Sequence, residues 1–369
     1  MLRKLLTRAC WIGVLFAGLS LSQAAPPSLD IPPEALESGL LPMHVAKVRA
    51  RVEYWAQALA DAKTPEAIVA ARQGMVQDYR GLESLSFKYH YANETAKAVV
   101  KRLGTFGDEL KALRDVNLAL AARQMPQVPV QAALDKMASS SNPAVRYLAW
   151  QGYGQVKMLV LAQGESFATK MLATFKERAQ AEDSPLVCGE IFSTLYLPSV
   201  STVMIEKGVL AKAQAVSVET FRAVWPGICQ GALDGDAKKM DAVRKGLIAL
   251  SLMGQDGGYK DSVKDADGLA QMALDGLWCA GKVLDRSKGQ GEIVNDCVQT
   301  LREGERALNA ATGKGKTHVE AALADTKDRG AAVLLAVLKW VDELKKDYGV
   351  SEPKLQASPT TAPASQPDK

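Results

Sequence analysis

Four cysteines and one aromatic run are the residues whose types and spacing could support chemistry. Cys279 and Cys297 lie nine residues either side of Lys288, and Arg286 to Gly291 reads RSKGQG, a turn between two helices. Residues equidistant from the turn of an antiparallel helical hairpin lie at one level. The spacing therefore predicts a Cys279–Cys297 disulfide, whose closed loop would add about 3 kcal/mol by restricting the unfolded chain. Cys188 and Cys229 are 41 residues apart. Equivalent positions in stacked hairpins are separated by ~8–10 Å, beyond the ~7 Å that a disulfide spans between α-carbons, so these two are expected as buried thiols. The run Phe87-Lys88-Tyr89-His90-Tyr91 sets three rings beside a cation and an imidazole. Phe87, Tyr89, His90 and Tyr91 make a possible ligand patch; rings packing a helix junction would explain the same residues.

Other stretches imitate catalytic motifs without completing them. Ala310 to Thr317, AATGKGKT, fits the looser form of a phosphate-binding loop. Such a loop needs a buried strand before it, whereas Val298 to Ala310 reads as helix, so a connector before a capped helix is expected. Gly164-Glu165-Ser166-Phe167-Ala168 resembles a nucleophile elbow at Ser166 but lacks the final Gly that permits the tight turn. A helix end, a turn and a new helix account for it. The histidines, His44, His90 and His318, are scattered, with no paired-Cys or HExxH spacing. Asp261, Asp265 and Asp267 hint at a calcium loop, yet Val263 takes its first position and Leu274 its required glutamate. The expectation is no catalytic residue, no cofactor and no metal.

The elements that position these residues read as helices throughout. Val45, Val48, Val52, Trp55, Leu59 and Ala62 recur at three- and four-residue steps, one face of a helix. Thr64-Pro65-Glu66 is a start signal of cap, proline and first-turn acid, and Asn142-Pro143 and Ser184-Pro185 repeat it. Thr317 to Glu320 fits a capping box opening a helix that runs to about Tyr348, with Gly349 as its left-handed stop. Alternating strand patterns are scarce, so the fold class is all-α. Pro143, Pro185, Pro226 and Gly268 follow one another at 42, 41 and 42 residues, a period that argues for stacked helical hairpins. Asn142 to Ala149, NPAVRYLA, resembles the Pro-x-Val-Arg-x-x-Ala signature of HEAT repeats. The likeness is good over this repeat, weak over the next three and negligible before Pro65. It implies an α-solenoid that binds partners along one face, and no catalytic residues. An irregular helical bundle is the alternative fold.

Composition and the chain ends set the context. Arg3, Lys4 and Arg8 precede the apolar run Cys10 to Leu21, and Ser22-Gln23-Ala24 offers small residues to a signal peptidase. Residues 1–24 are therefore expected as a secretory signal peptide, and the protein as exported, periplasmic or secreted. No later segment is apolar enough to span a membrane. Removing residues 1–24 from the 369 lowers the formal charge from +4 to +1, too little to propose nucleic acid. Residues 25–33 are a Pro-rich leader, 34–349 the helical repeat domain, and 350–369 a Pro-, Ser-, Thr- and Ala-rich tail expected to be disordered. The function this favours is non-enzymatic binding of a protein or cell-envelope partner. The rivals are a structural envelope protein spaced by that tail, and a helical-barrel enzyme cleaving glycans with paired carboxylates. Glycan grooves usually need aromatic platforms, and the mature chain has five Trp. N-terminal sequencing of the exported protein should begin at Ala25; a chain still starting at Met1 overturns the signal-peptide reading.

Overall fold

The computed structural model describes residues 25–29, 41–262, 266–288, 290–324 and 328–356. The expected signal peptide, the region of the calcium hint at 263–265, and residues 357–369 of the tail lie outside them. Among the described residues there are fifteen α-helices and no strand. They are α1 (Pro42–Asp61), α2 (Pro65–Gly81), α3 (Leu85–Arg102), α4 (Lys111–Arg123), α5 (Gln131–Ala138), α6 (Pro143–Leu161), α7 (Glu165–Gln180) and α8 (Pro185–Leu195). They continue as α9 (Lys207–Leu233), α10 (Ala237–Gln255), α11 (Gly257–Ser262), α12 (Ala266–Arg286), α13 (Ile293–Thr312), α14 (His318–Leu323) and α15 (Arg329–Tyr348). The protein is all-α.

Local chemistry explains most of the starts. The Thr64 side chain accepts from the Ala67 amide at 3.2 Å, and that of Asn142 from Ala144 at 2.9 Å. Pro65, Pro143 and Pro185 all open helices, where a missing amide proton costs nothing. Pro226 differs: it lies inside α9, a continuous helix of 27 residues, rather than opening one. The segment beginning at Gly268 likewise falls inside α12. Two of the four period marks are therefore helix starts and two are not. The helix expected from Thr317 to Tyr348 is divided into α14 and α15, although Gly349 does end it in the left-handed conformation, φ 63°.

The helices pack in two rows. In one, α2, α4, α6, α8, α10 and α13 follow in order, each against the next. In the other, α1, α3 and α5 form one group, and α7, α9, α12 and α15 a second. Successive helices close the rows on each other, notably α1 on α2, α5 on α6, and α12 on α13. The core is the space between the rows, filled by Trp150, Trp225, Trp340, Phe175, Phe192 and Phe221 among others. The α10–α13 crossing is close: a Cβ on Gly254 would meet the Ala311 amide nitrogen at 2.7 Å.

The C-terminal end of α8 is buried, which leaves its last carbonyls in need of donors. Side chains of three other helices provide them. Lys157 of α6 donates to the carbonyls of Thr194 at 2.8 Å and Tyr196 at 2.5 Å. Gln214 of α9 donates to Leu197 O at 3.0 Å, and Ser217 to Leu195 O. The Tyr259 hydroxyl of α11 donates to Leu195 O at 3.4 Å and accepts from Leu197 N at 2.7 Å. Asp256, just before α11, accepts from Ser199 N at 2.8 Å and from the Tyr196 hydroxyl at 3.2 Å. Burial pulls the Lys157 ammonium down to about 8, while its charge suits the negative end of the α8 dipole.

Replacing Lys157 by Met should cost about 2–3 kcal/mol in urea unfolding, because two buried carbonyls lose their donor. The unfolded chain holds the lysine proton up to about pH 10.5, and the folded chain only to about 8. The unfolded state therefore binds more protons between those values, and this group adds stability as pH rises through that window. The wild type should gain on K157M between pH 8 and 10; a constant gap would contradict the buried ammonium.

Candidate functional site

The structure separates the aromatic run instead of gathering it. Phe87 and Tyr91, four residues apart on α3, are both buried in the core. Tyr89 is 45% exposed on the opposite side, with its ring against His90 at 5.8 Å. The Tyr91 hydroxyl faces Asp78 at 3.5 Å, and Asp78 also accepts from Trp55 Nε1 at 2.5 Å and pairs with Arg51. A four-ring ligand patch is thus replaced by two core residues, the exposed Tyr89 and the half-buried His90. The helical period explains this, since 87 and 91 share a face that 89 does not.

The cysteines also depart from expectation. All four of Cys188, Cys229, Cys279 and Cys297 are free and buried, so the Cys279–Cys297 disulfide is not formed. The hairpin that motivated it exists, because α12 packs on α13. However, the Cys279 thiol is turned towards α9, where it donates to Cys229 O at 3.2 Å. Burial pushes the thiols of Cys188 and Cys297 up to about 12, and that of Cys229 upwards as well.

The phosphate-loop imitation is resolved by a carboxylate. Ala310 to Thr312 end α13, and Gly313 turns the chain in the left-handed conformation, φ 69°. Asn309 holds Lys316 by both its amide, 2.9 Å, and its carbonyl, 2.7 Å. The amides of Val319 and Glu320 at the start of α14 donate to the buried Glu305 at 2.7 and 2.9 Å. Trp340 Nε1 adds a third contact at 3.2 Å. The amides a phosphate would need are therefore taken by a resident anion. The Thr317 side chain makes no cap bond, so Glu305 replaces the expected capping box. At Gly164, φ 104°, α6 ends and α7 begins, so Ser166 lies in the first turn of a helix and not in an elbow.

Other buried ionisable groups are also used structurally. Arg114 donates to Ala62 O at 2.7 Å, and Asp115 accepts from Gly104 N at 2.8 Å. The Tyr153 hydroxyl donates to Asp135 at 2.5 Å. His44 holds the start of α1 through Nδ1 and Leu41 N, 3.3 Å; His318 faces Glu343 at 2.9 Å. Among the described residues, no three His, Cys, Asp or Glu are placed to hold a metal.

The surface offers a more coherent feature. Between α7 and α9 runs an apolar groove of about 490 Å³ floored by Ala168, Leu172, Val209, Ala213 and Val216. Two ion pairs cross between the helices at its edges, Lys212–Glu165 at 2.7 Å and Lys176–Glu219 at 2.6 Å. All four side chains are largely exposed, so these pairs add little stability and leave the rim nearly neutral. Sequence reasoning missed this groove, although the Ala168/Leu172 and Val209/Ala213/Val216 spacings mark it. Polar cavities also occur, one between α13 and α14 with Arg302, Arg306 and Lys316 in its wall. Compared with known proteins, the chain matches no protein-family model and no curated protein.

Unreduced, unfolded mature protein, residues 25–369, treated with iodoacetamide should gain four adducts by intact mass, one each at Cys188, Cys229, Cys279 and Cys297. The native protein at pH 8 should gain almost none, since all four thiols are buried and those of Cys188 and Cys297, pushed up to about 12, are only about one part in 10⁴ thiolate there. Two adducts after unfolding would reveal a disulfide that the structure does not contain.

Proposed function

We propose that the protein is a non-enzymatic helical-repeat protein, exported to the periplasm or beyond, that binds a protein or cell-envelope component through its helical surface. The observation that carries this reading is the apolar groove between α7 and α9, open on the surface and edged by charges that already pair with each other. A nearly neutral rim around an apolar floor suits an apolar face of a partner better than a polyanion.

Two further observations support a repeat architecture of the solenoid type. Alternate helices stack in rows, the arrangement that stacked hairpins produce. Arg146, in the HEAT-like segment, pairs with Glu182 at 2.7 Å and reaches the carbonyl of Ser140 at 3.1 Å. It thereby ties the turn before α6 to the turn before α8, which are equivalent places one repeat apart. Buried carboxylates such as Glu305 and Asp115 serve helix ends, which favours binding over glycan cleavage.

Photo-crosslinking residues placed at Ala173 and Ala215, on the groove's exposed edges, should yield one common adduct in intact exporting cells. A probe at Lys101, on α3, should not yield it. The same adduct pattern from all three positions, or none from any, would contradict the groove as the contact.

A further inference from the structure

Beyond Gly349 the chain does not leave the surface at once. The left-handed turn at Gly349 sends Val350 to Gln356 along the outside of α12 and α9. Val350 is buried, Pro353 is buried and Leu355 half-buried, while Ser351, Glu352, Lys354 and Gln356 are exposed. From 352 onwards the burial alternates, as an extended chain on a surface requires. Three groove side chains hold this strap. The Gln271 amide clasps the backbone of Ser351, accepting from its amide at 2.9 Å and donating to its carbonyl at 3.2 Å. Trp278 Nε1 donates to Leu355 O at 3.3 Å, and Gln230 Nε2 to Gln356 O at 2.8 Å.

Two features distinguish this from simple docking of a terminus. Each of those four bonds goes to strap backbone, so the groove reads an extended main chain, while Pro353 and Leu355 alone supply buried side chains beyond residue 350. The groove's polar groups are also held by their own helix: Gln271, Asp275 and Trp278 lie at successive turns of one face of α12. Gln271 Nε2 is oriented by Asp275 at 3.0 Å, and Lys282 lies over the Trp278 ring at 4.7 Å. Backbone bonds giving affinity, with small pockets giving specificity, is the logic of extended-peptide recognition. Proline suits it because its conformation is fixed before binding.

We propose that the α9–α12 face is a peptide-binding groove for an extended Pro-x-Leu segment of another polypeptide, and that Ser351–Gln356 is its resident intramolecular occupant. The site is separate from the α7–α9 groove and stands or falls without it. A strap joined directly to α15 competes at an effective concentration on the order of millimolar or above, so an external peptide gains access only when the strap is displaced.

The test uses the full chain carrying Pro353→Asp and Leu355→Asp. Hydrogen exchange should show the Ser351 amide, bonded to Gln271 in the wild type, losing protection in this variant. A fluorescein-labelled peptide of residues 350–356, VSEPKLQ, should bind it at least tenfold tighter than it binds the wild type. The rearranged peptide VSPEKQL should bind at least tenfold more weakly. Adding Trp278→Phe and Gln271→Ala to the variant should weaken VSEPKLQ at least fivefold. Leu355→Ser alone provides the same comparison with about a threefold gap if the double variant folds poorly. Persistent protection of the Ser351 amide, equal binding of the two peptides, or no binding to the released variants overturns the proposal. A wild-type dimer in sedimentation that the double variant dissolves would indicate strap exchange between copies and overturn it also.

Discussion

The C-terminal end of α8 imposes a constraint that the middle of the protein is arranged to meet. Helix α8 lies in its row between α6 and α10, so its end cannot be opened to water, and a buried carbonyl without a donor costs about 1–3 kcal/mol. Thr194, Leu195, Tyr196 and Leu197 take their donors from Lys157, Ser217 and Gln214. Those donors reside on α6 and α9, and Tyr259 and Asp256 close the arrangement from the α11 side. Three elements are therefore registered against one helix end. The lysine suits this end because its long cationic side chain reaches two of the carbonyls and also opposes the helix dipole.

Glu305 does for the start of α14 what Lys157 does for the end of α8. A helix packed into an array has buried ends, and a neighbour's side chain must satisfy them with the opposite sign of charge. This has a consequence for function. The buried lysine, the buried glutamate and the asparagine at 309 would suggest catalysis or anion binding if found together in a cavity. Here each is bonded to a helix terminus or a turn. The chemistry available to a partner is therefore mostly that of the surface.

What the sequence discloses follows from the range of the interaction. The caps at Thr64 and Asn142 depend on residues two or three away and were readable. So were the all-helical class, the turn at Gly164, and the left-handed stop at Gly349. The bond from Glu305 to the α14 amides spans fourteen residues and a chain reversal, so a local capping box at Thr317 looked sufficient. The cysteine pair shows a finer limit: the α12–α13 hairpin is present, yet side-chain direction depends on α9, a third element. Lys157 did leave a trace. It shares the buried face of α6 with Tyr153, Val156 and Val160, where a lysine needs partners.

The period near 41 residues also becomes intelligible. It marks real starts at Pro143 and Pro185, which open α6 and α8, neighbours in the same row. It fails at Pro226 because α9 runs through the expected boundary as one long helix. That length matters, since α9 contacts α7, α8, α10, α11 and α12, and its two ends take part in different surfaces. Val209 and Val216 near its start line the apolar groove, and Gln230 near its end holds the strap. A helix broken at Pro226 would need its ends capped inside the array, as α8 and α14 do. Continuity avoids a further buried terminus, and places the groove and the strap on one helix.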